Sequence, residues 1–336
     1  MITLLHAKVK LLHFPRSHLP HVTHAIIKAC FFHDTKDERY FFSLTENAYE
    51  ISIVANQEAI DNDFMPILLA CQCPGLAVSS DLYRILQVDD EGGQDSSGKR
   101  ISDLSGPLAQ GRFSIFYMST YQTDFVLIKE RRLRRAVHLL QEHGFKFDED
   151  SLASGIEDTL QQPITEQSNN DSDPEELFNV LQSEMRCVGL NPHYRSAWAM
   201  TLLKVLAYPE LVIDNYSTEN TRFFSYTASS EGISLITDNR FLAEFEQDVI
   251  FQEEDSASLR VIQVNLAGSN LDRCGIVRSI SHPLVTEAHI NLLYLSTFKS
   301  ANILVPAADL EKAREVMATD LVTMRGMLSE MVLEPR

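Results

Sequence analysis

Phe113–Glu130, FSIFYMSTYQTDFVLIKE, is the stretch whose reading decides the fold. Phe113, Ile115, Tyr117 and Ser119 alternate with Ser114, Phe116, Met118 and Thr120, and Phe125 to Ile128 form a second short apolar run. Runs rich in β-branched and aromatic residues predict strands covered on at least one face. Tyr121-Gln122-Thr123-Asp124 between them predicts a polar turn, and Arg131 to His143 then takes up helical spacing. The pattern returns at Ile290–Val305, INLLYLSTFKSANILV. There Ser296-Thr297-Phe298 stands for Ser119-Thr120-Tyr121, and Leu304 for Leu127.

The echo extends upstream. Phe41-Phe42-Ser43-Leu44-Thr45 followed by Ile51-Ser52-Ile53-Val54 returns as Phe223-Phe224-Ser225-Tyr226-Thr227 followed by Ile233-Ser234-Leu235-Ile236. Gly106-Pro107-Leu108 returns as His282-Pro283-Leu284. Several markers in one order, at nearly one offset, identify a duplicated half.

Between the anchors, Lys8–Phe14 predicts a strand, Val22, Ile26, Ile27 and Cys30 a helix, and Arg39–Leu44 with Glu50–Val54 a hairpin. Glu58–Leu69 predicts a short helix broken near Pro66, Leu82–Val88 a strand, and Ile101–Ala109 a short helix or turn. The second half repeats the order: a strand at Glu184–Leu190, a helix at Tyr194–Tyr208, a hairpin at Arg222–Thr237, a strand at Leu259–Leu266. Helices are expected from about Cys274 to Val285 and from Ala308 to Met317. Each quarter reads strand–helix–strand–strand, completed to a βαββαβ pattern by flanking elements. The expected fold class is therefore α+β: four tandem ferredoxin-like units in two duplicated halves. Their expected bounds are 1–75, 76–147, 179–256 and 257–320, with an acidic linker at 148–178 and a tail at 321–336.

Composition narrows the function. A chain of 336 residues is long enough for several small cored domains, and its formal charge of −18 opposes nonspecific binding to nucleic acid or to an anionic membrane. From Asp148 to Glu176 there are ten acidic residues and no Lys or Arg, so this segment is expected to be a disordered linker. No apolar run approaches the ~18 residues of a membrane span, and Met1–Phe14 lacks the continuous apolar core of a signal peptide. Five scattered cysteines suit a reducing compartment, with the cytoplasm as the default.

Catalytic signatures are missing. Neither Gly-x-x-x-x-Gly-Lys-Ser/Thr nor Gly-x-Gly-x-x-Gly after a strand occurs. His18, His21 and His24 spread around a helix entrance with Pro20 among them, and Cys71-x-Cys73 lacks a second ligand pair, so no metal is expected. Arg131-Arg132-Leu133-Arg134-Arg135 reads as the solvated face of a helix. No nucleophile, base and orienter are placed together by spacing, which argues against an enzyme and against a cofactor. A binding function remains. Asn270–Val277 carries a loop into a helix start, where unpaired N–H groups suit a carboxylate and Gly275 permits close approach.

The four-unit pattern resembles tandem ACT domains. More narrowly, FFSLTE (Phe41–Glu46), STYQTDF (Ser119–Phe125), CGIV (Cys274–Val277) and the STF and LVP of Ser296–Pro306 resemble the CASTOR family of cytosolic arginine sensors, which act on the target-of-rapamycin growth pathway. The resemblance implies an amino acid held between the second and fourth units. Ser114 and Ile115 match positions that hold its backbone, Cys274, Gly275 and Ile276 the glycine loop, and Thr297 and Phe298 the pocket wall. Tyr121, Gln122 and Asp124 match contacts to a partner, the GATOR complex. Leu203 and Tyr208 match the helix used for homodimer contact.

Two positions depart from that pattern. The family's guanidinium-pairing aspartate falls on Ala301, and the acidic residue before its Cys-Gly falls on Arg273. Both changes disfavour a cationic ligand side chain. Asp272, one residue away, compensates only if its side chain turns inward. The readings are a nonenzymatic amino-acid sensor, a ligand-free scaffold that keeps the partner surface, and a regulatory subunit of an amino-acid biosynthetic enzyme.

Overall fold

The computed structural model describes residues 1–33, 37–89, 97–155, 178–213, 222–252, 256–266 and 270–319. Most of the acidic stretch and the expected tail lie outside the described residues.

The chain begins with β1 (Ile2–Phe14), α1 (Leu19–Phe31), β2 (Phe41–Glu46) and β3 (Ile51–Asn56). The short helices α2 (Gln57–Ala59) and α3 (Met65–Ala70) flank a π-helical turn at Ile60–Phe64, and β4 (Ala77–Val78) follows. Next come β5 (Tyr83–Asp89), α4 (Ser97–Gln110), β6 (Ile115–Ser119), β7 (Thr123–Lys129), α5 (Leu133–Glu142) and α6 (Glu149–Gly155). The second half holds β8 (Phe178–Val180), β9 (Met185–Leu190), α7 (Arg195–Ala207), β10 (Phe224–Ser229), β11 (Ile233–Asp238), α8 (Asn239–Leu242) and β12 (Ile250–Phe251). It continues with β13 (Leu259–Asn265), α9 (Ile276–His282), β14 (Leu293–Ser296), β15 (Ser300–Pro306) and a helix over 310–319.

Three expectations shift. The first strand starts at Ile2 rather than Lys8, because its early residues Leu4 and Leu5 are also buried. Asp148–Gly155, expected as disordered linker, is ordered. Asp148 N–H donates to the Ile2 carbonyl (2.9 Å), Leu4 N–H to Ser151 Oγ (3.1 Å), and Arg84 Nη1 to the Gly155 carbonyl (2.6 Å). The basic run is only partly solvated. Arg132 is buried, its guanidinium 4.4 Å over the Phe113 ring, a cation–π contact that the helical spacing alone does not reveal.

The chain packs as two compact units, and each draws on both halves of the sequence. One, called here the β2 unit, holds Ala7–Ser79 and Leu181–Leu259; the other, the β6 unit, holds Met1–His6, Ser80–Val180 and Arg260–Arg336. In the β2 unit the strand order is β12-β9-β11-β10-β2-β3-β1. Its core includes Phe14, Phe42, Phe64, Trp198 and Leu235. In the β6 unit the order is β5-β7-β6-β14-β15-β13-β8, with a core that includes Leu104, Tyr117, Val126, Ile280, Tyr294 and Ile303. Helix α5 buries Leu133, Ala136, Val137 and Leu140 at i, i+3, i+4 and i+7. Each of its two buried leucines, Leu133 and Leu140, contributes about 1.5–3 kcal/mol through that burial.

Both units pair a strand with its own copy. In the β2 unit, β2 runs antiparallel to β10 along its whole length, from Phe41↔Ser229 to Glu46↔Phe224, with Leu44 opposite its repeat equivalent Tyr226. Buried hydroxyls pair across this seam, Ser43 with Thr227 at 2.8 Å and Thr45 with Ser225 at 2.9 Å. In the β6 unit, β6 and β14 meet in register at Met118↔Leu295, again repeat equivalents. Either side of that point serine hydroxyls complete the seam: Tyr117 N–H donates to Ser296 Oγ (3.0 Å), and Tyr294 N–H to Ser119 Oγ (3.1 Å).

Candidate functional site

The expected ligand residues converge in the β6 unit. Ser114 is fully buried just before β6, and its hydroxyl faces the loop after β13, donating to the Leu271 carbonyl (2.9 Å) with the Asn270 carbonyl at 3.3 Å. Asn270 N–H donates to the Phe298 carbonyl (2.9 Å), tying the same loop to the β14–β15 turn. That turn is closed locally. Thr297 N–H donates to the Ser300 carbonyl (2.9 Å), and the two hydroxyls lie 2.6 Å apart. Ile115, Cys274, Ile276, Thr297, Phe298 and Ala301 are all buried around these contacts.

Gly275 sits at the end of the loop with φ +84°, the left-handed region that a side chain resists. Among the described residues, a Cβ built there would have Ala109 Cβ as its nearest neighbour at 3.8 Å, an ordinary contact, so the site is not crowded. Asn270 was not foreseen from the sequence. It is 1% exposed, and its Oδ1 accepts no hydrogen bond from the described residues. A buried acceptor without a donor costs on the order of 1–3 kcal/mol, so this atom marks a place for one. An Asn in a Gly/Ser-rich loop reads as turn chemistry, which is why it drew no notice.

The charged residues take other partners. Asp272 turns outward: its side chain is 62% exposed, and its carboxylate pairs with the ammonium of Lys129. Lys129 is buried at the end of β7, with Asp81 at 3.4 Å as a second counter-charge. Asp272 is thus held away from the compensating role. Arg273 is half-buried and its guanidinium donates to the Leu266 carbonyl; burial lowers its pKa from the usual range. Ala301 is fully buried and supplies no charge.

The partner-contact residues separate. Gln122 is exposed and Tyr121 half-buried, as a turn allows. Thr123 and Asp124 are already in β7, and Asp124 is 1% exposed, which corrects the expectation of an exposed polar turn over all four residues. The cause is Arg100 on α4, whose Nε donates to Asp124 Oδ2 at 2.8 Å. Burial pushes the Asp124 carboxyl above the usual aspartate range, against the pull of Arg100 and of hydrogen bonds from Ser119 and Tyr117. Asp124 can therefore order the turn but cannot reach a partner without breaking this pair.

In the β2 unit, Leu203 is half-buried on α7 and Tyr208, at its end, is 49% exposed. Tyr194, Met200 and Leu211 are also exposed along the same segment. Single exposed apolar residues are ordinary, but several in one segment, with Tyr194 before α7, Met200 on it and Tyr208 and Leu211 after it, mark a surface suited to contact. The base of α7 is fixed from inside by Arg222, which donates to Glu46 Oε2 (3.0 and 2.7 Å) and to the Val205 and Leu206 carbonyls (2.6 and 2.8 Å). No group of three or more His, Cys, Asp and Glu able to hold a metal occurs among the described residues.

Two segments, 78–142 and 256–318, match the family model of the ACT domain. Along nearly its whole length the chain is also similar to proteins named cytosolic arginine sensor for mTORC1 subunit 1. The human protein is 26% identical over 333 residues, covering 94% of this chain and 96% of its own. The protein from Mus musculus is 27% identical over 320 residues, covering 90% and 92%. Among solved structures, aspartate kinase from Synechocystis covers 94% of this chain and 54% of its own at 11% identity. Its TM-score of 0.36 is too low to bear on the fold or the function.

Proposed function

We propose that this protein, an ACT-domain chain similar end to end to cytosolic arginine sensors, is a nonenzymatic amino-acid sensor acting in mTORC1 signalling through protein–protein contact. On this reading it works in the cytoplasm as four ferredoxin-like ACT units, and the amino acid sits beside Ser114, Ile115, Cys274, Gly275 and Ile276. Asn270 Oδ1, buried, without a donor among the described residues and on a residue bonded by Ser114, carries the reading. A ligand α-ammonium would supply the donor it lacks, and the uncrowded backbone at Gly275 would receive the carboxylate. Thr297 and Phe298 would close the wall, and Ala301 would face the ligand side chain.

The finer assignments belong to the same proposal. Tyr121 and Gln122 would contact a GATOR-type complex, with Asp124 fixing their turn from inside. Leu203 and Tyr208, with their exposed neighbours on α7, would form a homodimer face. One observation favours a second reading. Ala301 and the outward-turned Asp272 leave no carboxylate among the named site residues for a cationic side chain, which suits a scaffold that binds no ligand.

A thermal-shift screen against the twenty amino acids separates the two. A ligand present at a hundredfold over its Kd adds about 2.7 kcal/mol to stability by linkage, which raises the Tm. A flat screen would leave the scaffold.

A further inference from the structure

The β6 unit presents the candidate site twice, and among the described residues the two copies are filled differently. Met118 and Leu295 face each other as repeat equivalents, so the seam has an approximate two-fold relation about that pair. Ser114 stands five residues before Ser119, and Asn291 five before Ser296, so Ser114 and Asn291 are equivalents. Ser114 faces the loop that leads into α9. Asn291 faces the start of the other helix of the pair, α4.

What each finds there differs. On the Ser114 side, a Cβ built at Gly275 has Ala109 Cβ as its nearest described neighbour, at an ordinary 3.8 Å. On the Asn291 side, the Gly98 N–H donates to Asn291 Oδ1 at 2.9 Å, and the Ser97 hydroxyl donates to the Leu292 carbonyl at 3.0 Å. A Cβ at Gly98 would lie 3.1 Å from Val285 Cγ2, 3.3 Å from Asn291 Oδ1 and 3.4 Å from the Ile290 carbonyl. Gly98 is thus crowded by this side chain and its neighbours, where Gly275 has only an ordinary contact.

A carboxamide is planar and presents an acceptor oxygen, as a carboxylate does. We infer that Asn291 is a built-in occupant of the second place, standing where an amino acid's carboxylate would stand, so that this unit takes a single amino acid on the Gly275 side. The inference rests on the amino-acid reading above. A helix cap with no such history would also bond to Gly98. Removing it would cost stability and open no site.

Asn291→Ser copies Ser114 into the second place, and Gly275→Val closes the first. Calorimetric titration with glutamine, a neutral probe, should give one bound per chain for the unaltered protein and for Asn291→Asp, which keeps an occupant. It should give two for Asn291→Ser, none for Gly275→Val and one for the Asn291→Ser/Gly275→Val pair. A single site in Asn291→Ser that vanishes in the pair would overturn the inference. Hydrogen exchange decides without a ligand: Asn291→Ser should speed exchange at the Gly98 amide by about tenfold, the worth of one hydrogen bond. Unchanged protection there would also overturn it. Should the unaltered protein bind no glutamine, the amino-acid reading fails for that probe, and the exchange result still judges the Asn291 bond to Gly98.

Discussion

Ser119 and Ser296 hold each other's strands: the first accepts from Tyr294 N–H at 3.1 Å, the second from Tyr117 N–H at 3.0 Å. Each stands in for a backbone carbonyl at a seam where the two strands meet in register at one point. Removing either hydroxyl leaves a buried amide without its acceptor. Ser119→Ala and Ser296→Ala should each cost about 1–3 kcal/mol, read as a lowered urea midpoint. The double variant should lose less than the sum, since the seam loosens once. Full additivity would mean that the two bonds act independently.

The Arg100–Asp124 pair should show itself through pH. Its folded-state carboxyl already titrates above the usual range, so ionised Asp124 costs stability that is regained as pH falls through that raised pKa. Arg100→Gln removes the main counter-charge and raises the carboxyl further. The variant should lose roughly 3–5 kcal/mol at pH 7.5 and less at pH 5, since falling pH favours the neutral carboxyl, which needs no counter-charge. Urea melts at the two values make the comparison. An equal loss at both would place the effect in packing.

Gln122 is exposed and Tyr121 half-buried beside it, so both can change without opening the core. Replacing both with Ala should abolish pull-down of the GATOR complex while the circular dichroism spectrum stays normal. A partner retained at normal strength would mean that the turn is merely polar. Asp124→Asn is the useful contrast, because it acts only through the order of the turn.

Ligand preference should follow Ala301. Restoring a carboxylate with Ala301→Asp, at a fully buried position, supplies the charge that a guanidinium lacks here. A buried charge pair is worth on the order of 2–5 kcal/mol, so arginine affinity should rise well over tenfold. In the unaltered protein, neutral or acidic amino acids should bind better than arginine. Isothermal titration of both forms checks this, and micromolar arginine binding by the unaltered protein would contradict it.

Much of this architecture was legible because a repeat states the same pattern twice. The strands around Phe113–Glu130 and Ile290–Val305, the hairpins and the main helices all lie where periodicity put them, with ends shifted by a few residues. The short pieces β4, β8, β12 and α8 were not legible, since two to four residues carry no period. Site geometry was legible only in part. Spacing singled out Gly275, but Asp124 faces Arg100 and Asp272 faces Lys129 because of contacts from distant segments. Asn270 looked like a turn residue, and its role depends on Ser114 and Phe298 arriving beside it from elsewhere in the chain.

A strand that pairs with its own copy inside one chain is an isologous surface, and nothing in the pairing itself distinguishes the copy in the same chain from one in another. Leu44 opposite Tyr226 and Met118 opposite Leu295 would form equally well between molecules that exchanged halves. What favours closure within one chain is covalent linkage, which keeps each strand at a high local concentration before its counterpart. Domain exchange is therefore the characteristic error open to this chain. It becomes competitive when the protein is refolded from denaturant at high concentration, and the product would be a dimer whose units are internally unchanged.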